Sequence, residues 1–183
     1  MTTRYYAGIG ARRTPERILG LFSGLALYLY YQGYTLRSGG ADGADSAFEA
    51  GLLGVGPQDI FLPWKGFNNN QSQLYGVESK ALTMAEHYHP AWNACTPVAR
   101  KFHARNCYQV LGKDLETPAD FILCWTPKGE TVGGTGQALR IAEDLNIPVI
   151  NFGGFNDLSM AILTVDDIVQ QIKAEEIINE QTA

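Results

Sequence analysis

Three times in this chain a short β-prone run ends in a glycine-bearing turn and gives way to helical periodicity. The runs are RYYAGIG at 4–10, YTLRSGGADGAD at 34–45, and ADFILCW at 119–125, followed by TPKGETVGGTG at 126–136. ADFILCW, and IPVINF at 147–152, lack polar alternation, as strands buried on both faces do. In the first helical segment Ile18, Phe22, Leu25 and Leu29 recur at helical spacing and Gly33 supplies a stop. Strands alternating with helices predict an α/β fold, a Rossmann-like three-layer sandwich with a mostly parallel central sheet. Ligands of such sheets sit outside the C-terminal strand ends, where βα turns converge.

The expected strands are 4–9, 35–37, 59–62, 119–125 and 147–152. Helices are expected from Pro15 to Gly33, over 46–53, 77–86, 98–111 and 137–145, and at the tail behind a capping signature at Thr164-Val165-Asp166-Asp167. With 183 residues, 45% hydrophobic and 18% charged, one domain over 1–183 is expected. Residues 64–97 interrupt the pattern with an irregular polar and aromatic insertion carrying Trp64, Phe67, Tyr75 and Trp92, long enough to be a lid or binding loop.

Charge and cysteine content exclude several classes. A net charge of −5 disfavours a nucleic-acid partner unless a local basic patch exists. Cys95, Cys107 and Cys124 form no CxxC pair and are odd in number, which points to a reducing compartment. The segment MTTRYYAGIGARR lacks the apolar core of a secretory signal, and no apolar run approaches a membrane span, so a cytoplasmic protein without a membrane partner is expected. His87 and His89 are two apart, a spacing that points them in different directions on a helix, and no acid or cysteine nearby completes a metal set, so neither a metal nor a cofactor is expected.

Each turn carries its own chemistry and its own plain alternative. Gly8 to Arg13 permits close backbone approach with Arg12 positioned for phosphate, or is a simple βα turn. In RSGGADGAD, Ser38, Gly39, Gly40 and Asp42 form a ligand floor, and Asp45 and Glu49, four apart on one helix face, are the candidate catalytic carboxylates; otherwise Asp42 and Asp45 are a capping box. Gly133, Gly134, Thr135 and Gly136, with Thr131, open a helix whose free amides suit phosphate. On the 98–111 helix Ala104, Cys107, Tyr108 and Leu111 form an apolar stripe. Phe102, Arg105, Asn106 and Gln109 lie opposite, as a solvated face or a recognition surface with Arg105 on phosphate.

Taken in order, these segments resemble the Rossmann-like part of the DNA-processing protein A family. SGGADGAD with AFE is similar to its SGxARGID turn, ARNCYQVLG to its RNRxIxxLS segment, and GGTGQALRIAEDLNIPVINF to its SGSLxTAxxAxxxGRxVxAVPG stretch. The resemblance spans about residues 4–152 and extends, more distantly, to the SLOG superfamily and its lonely-guy phosphoribohydrolases. Against the lonely-guy PGGxGTxxE motif the chain has VGGTGQALR, with Gln137 in the threonine position and Arg140 in that of the glutamate. A stand-alone SLOG domain resembles phage-encoded members, and a host-cytoplasmic location follows from that.

The resemblance implies a protein that binds a nucleotide or nucleotide-derived small molecule, sequestering it or hydrolysing its N-glycosidic bond. In that reading the 133–136 turn and Arg105 hold phosphate, Asp42 and Asp45 hold ribose, and Trp64, Phe67 or Trp92 covers the base. The alternative is a single-stranded DNA-binding accessory. Tyr28, Tyr30 and Tyr31 suggest a homo-oligomer contact, or equally a tyrosine-rich edge of the core.

Overall fold

The computed structural model describes residues 3–182. Its strands are β1 (Arg4–Gly8), β2 (Tyr34–Ser38), β3 (Gln58–Ile60), β4 (Phe121–Cys124) and β5 (Val149–Asn151). All pair in parallel, in the order β3-β2-β1-β4-β5, with Tyr6 beside Leu36 on one edge and beside Phe121 on the other. The helices are α1 (Glu16–Tyr31), α2 (Ala44–Gly51), α3 (Ser79–Tyr88), α4 (Pro97–Leu111), α5 (Gly133–Asp144) and α6 (Leu158–Thr182). This is the Rossmann-like sandwich the alternation predicts.

The period-two geometry of the strands divides the core. Phe121 and Leu123 of β4 point to one face, where they join Phe22 of α1, Phe48 of α2 and Val165 of α6. Ile122 and Cys124 point to the other, against Ala104 and Cys107 of α4 and Ile141 of α5. The first layer is aromatic: Phe22 stacks on Phe48 with ring centroids 4.3 Å apart and meets Phe152 edge-on at 5.2 Å. Gly8 belongs to this packing and not to a ligand site, because a Cβ there would lie 2.6 Å from the Phe48 ring.

Three expectations are corrected. The helix expected at 137–145 begins at Gly133, so the glycines form its first turn and do not merely precede it. The terminal helix begins at Leu158, capped by Asp157, whose carboxylate accepts from the Ser159 amide at 2.9 Å. Thr164 lies within it and donates its hydroxyl to the Met160 carbonyl; burial of Ala161, Val165 and Val169 extends the apolar stripe upstream of the apparent cap. The strand expected at 59–62 ends at Ile60, and Leu62 instead bridges to Tyr75 within the insertion. Among the described residues no helix is long and apolar enough to cross a membrane.

Candidate functional site at the sheet switch point

The chain leaves β1 toward β2 and leaves β4 toward β5, on opposite sides of the sheet centre. The loops that follow β1 and β4 therefore part, and the crevice between them is where open α/β sheets place ligands. A cavity of about 790 Å³ fills it. Its walls are the Ile9–Arg13 loop, the loop from Trp125 into the start of α5, and the face of α4 from Phe102 to Gln109.

The charge of the walls runs against that of the chain. Arg12, Arg13, Arg105 and Arg140 line the cavity, and Asp45 is the one carboxylate lining it among the described residues. Arg12 and Arg13 are exposed, with the Arg12 guanidinium 5.6 Å from the Phe102 ring centre. The local basic patch that a protein of net charge −5 needs for an anionic ligand is thus assembled from three separate segments.

The entrance to α5 adds a second source of positive potential. Its N-cap is Val132, which makes no side-chain capping bond, and the first turn holds no acid. The early amides of a helix lack intrahelical partners, so this end carries partial positive charge. Gly133, Gly134 and Thr135 all line the cavity, and Asn106 fixes their turn by donating to the Gly134 carbonyl at 3.0 Å. Thr131 and Gly136 stand back from the cavity. Thr131 is exposed and its carbonyl accepts from Arg140, while Gly136 packs so closely that a Cβ would lie 2.9 Å from the Thr131 carbonyl carbon.

The RSGGADGAD turn is occupied by the protein itself. Asp45 is 4% exposed and accepts from Arg105 at 3.2 Å and Gln109 at 3.4 Å. Burial pushes the Asp45 carboxyl up, opposed by the Arg105 charge. Arg105 is 5% exposed and reaches Asp45 across Gly39, where any Cβ would sit 1.0 Å from its Nη1. Gly39 is therefore the opening through which α4 grips α2. This corrects the expected role of Arg105: its guanidinium lies at the cavity wall but is committed to Asp45. It also corrects the expected face of α4, since Arg105, Asn106 and Gln109 are all buried. Nor is there a capping box, because the N-cap of α2 is Gly43, at φ 87°, with no side-chain bond. Ser38 is fully buried, donating to the Gly8 carbonyl at 2.9 Å.

Glu49 and Asp42 face the insertion. Glu49 accepts from the Gly40 amide and from Asn70 Nδ2, both at 2.9 Å, and burial together with nearby Asp45 raises its carboxyl to about 7. It is not a wall of the cavity. Asp42 accepts from Asn68 Nδ2 at 2.8 Å, and the same amide donates to the Gly40 carbonyl at 3.1 Å. Asn68 and Asn70 thus staple the insertion over the second turn; the run NNN in the sequence was their only signal.

The aromatic residues divide. Trp64, Phe67 and Phe102 form an edge-to-face cluster with centroids 5.2–5.4 Å apart, and of these Phe102 reaches the cavity. Trp92 is 9% exposed and packs in the core under Arg100, so it does not cover a base. Tyr28 is engaged with Asp166 of α6, whereas Tyr31 is 75% exposed. His89 and His103 also line the cavity, and neither turn nor spacing pointed to them. The expectation that the histidines lack metal-ligand companions is corrected, since one ligand atom each from His89, Cys95 and His103 lies within 4.8 Å of the others. His89 is already past the end of α3, in extended backbone, so helical spacing from His87 does not set its direction.

Fold and site together define a Rossmann-like α/β protein with a cationic cavity at its topological switch point. No family model matches the chain, and no curated protein matches its sequence. Among solved structures it is similar to DNA processing protein A from Helicobacter pylori, described for its single-stranded DNA binding mode, at 16% identity and a TM-score of 0.49. The likeness covers 82% of this chain and 65% of that one, so the chain spans less than two thirds of its neighbour's length.

Proposed function

We propose that the protein binds a phosphate-bearing nucleotide in the switch-point cavity, with the phosphate at the start of α5 and Arg12, Arg13 and Arg140 around it. The observation that carries this reading is the meeting of an uncapped helix N-terminus with three arginines not held in a buried ion pair, in a chain that is acidic elsewhere. Phe102, below Arg12, offers the base an aromatic face. Binding without cleavage is favoured: Asp45 is the one cavity carboxylate among the described residues and is held by Arg105 and Gln109, while Glu49 lies outside the cavity. Among the described residues the cavity therefore offers no free carboxylate for the expected N-glycosidase chemistry.

A second reading has its own support. The exposed Arg12 and Arg13 lie beside Phe102 and the 37%-exposed Trp64, which suits a strand whose phosphates follow the arginines and whose bases stack outside. Fluorescence anisotropy and calorimetry with mononucleotides, inorganic phosphate and a short single-stranded oligonucleotide separate the two. Saturation by a mononucleotide, with weak salt dependence, supports the small-ligand reading. Binding confined to the oligonucleotide, falling steeply with salt, supports the strand. Absence of binding by all of them refutes both.

A further inference from the structure

We propose that His89, Cys95 and His103 form a binding site for a divalent transition metal of the zinc class, with three protein ligands and a fourth position turned toward the cavity. Cys95 Sγ lies 3.7 Å from both ring nitrogens of His89, and the His89 and His103 ring centres are 4.2 Å apart. Tetrahedral zinc, with Zn–S of about 2.3 Å and Zn–N of about 2.0–2.1 Å, holds sulphur and nitrogen roughly 3.6 Å apart. The Cys95–His89 pair is already at that spacing, and the ligand atoms of all three residues lie within 4.8 Å of one another.

A second observation points to a ligand independently of the clustering. His103 is 9% exposed, and its Nδ1 is fully buried with no partner at hydrogen-bond geometry among the described residues, although the Gln137 side chain interacts with the ring. A buried orphaned ring nitrogen is costly, and a metal would occupy its lone pair. The Ala91 amide donates to His89 Nδ1 at 3.2 Å, which leaves the proton of the neutral ring on Nε2. The metal takes the Nδ1 lone pair and displaces that long bond. The Cys95 thiol releases its proton to solvent on binding, so a divalent ion adds one net positive charge.

The three ligands come from the end of α3, the 90–96 loop and the middle of α4. Metal would therefore tie the insertion to the scaffold. His89 and His103 line the cavity and Cys95 does not, which directs the open coordination position inward. Three protein ligands plus one open position is the arrangement of reactive zinc sites, in contrast to closed structural ones. The other two cysteines do not compete, since burial pushes the Cys107 and Cys124 thiols up to about 12.

The test uses the whole protein, stripped by a chelator and then titrated with cobalt(II), followed by zinc. The expected result is one equivalent bound, with a sulphur-to-cobalt charge-transfer absorption in the near ultraviolet that zinc abolishes. Cys95→Ser removes that absorption, and His103→Gln or His89→Ala weakens binding at least tenfold. Zinc raises the melting temperature of the wild type and not that of the half-exposed His89→Ala variant, which guards against misfolding of the others. A wild type that gives no thiolate absorption and no melting shift overturns the proposal, as does equal binding by Cys95→Ser or equal stabilisation of His89→Ala. None of these readouts uses a nucleotide, so this site stands or falls apart from the phosphate reading.

Discussion

The β2–α2 turn and the β4–α5 turn are both glycine-rich, both leave the C-terminal end of a parallel strand, and both open a helix. They differ in what fills them. In the first, Asp45 of α2 meets a guanidinium through the gap at Gly39, Glu49 and Asn68 bond the Gly40 amide and carbonyl, and Asn70 donates to the other Glu49 oxygen. In the second, the first turn of α5 holds no acid and its N-cap makes no side-chain bond, and the arginines around it come from the loop after β1 and from α5 itself. Glycine richness marks close approach of the protein's own side chains in the first turn, whereas in the second it leaves the open space in which the proposed function places an anion. A turn that carries its own counter-charge is finished; one that lacks it is receptive.

The largest break in this comparison is expected from Arg105→Met. It strands Asp45 in a dry site, and chemical denaturation should show a loss of about 3–5 kcal/mol. Gly39→Ala should lose a similar amount, because its methyl displaces the same guanidinium, whereas Gly134→Ala, with open space around its Cβ, should not.

Glu49 sharpens the comparison through pH. Its folded carboxyl is raised to about 7 from the ordinary 4.5, so the fold favours the protonated form. Its contribution is complete below pH 4.5 and is lost as pH rises to 7, on the order of 2 kcal/mol after allowing for its partial exposure. Melts between pH 4.5 and 8 should show this decline in the wild type and not in Glu49→Gln.

The smallest effect has opposite signs in two measurements. Gly134→Asp places a carboxylate in the first turn of α5 at a position with ordinary backbone geometry and no steric neighbour. Helix-dipole pairing should stabilise the protein by about 0.3–1 kcal/mol, while affinity for the nucleotide or phosphate probe falls at least tenfold, because the second turn now holds its own counter-charge as the first does. Unchanged affinity would show that the α5 entrance is not the anion site.

The residues of the two turns explain why the fold was legible and much of the site was not. Strand and helix periodicity are local, so the Ile18, Phe22, Leu25 and Leu29 stripe and the apolar β4 run appear in the chain itself, and parallel layering follows from their alternation. Asp45 and Arg105 are sixty positions apart, and nothing near either says that they neutralise one another. Separations of 28 and 21 positions hid Asn68 and Asn70 as staples, and one of 14 hid His103 as a companion of His89.

Sequence by itself determined the order of strands and helices along the chain and the places where glycine permits close approach. Tertiary structure alone decided which arginine is spent on a buried carboxylate and which line the cavity without such a partner, and that His89, Cys95 and His103 converge. The physical reason is that backbone preference acts over a few residues, whereas charge compensation and metal-ligand geometry act through space between segments that only the sheet brings together.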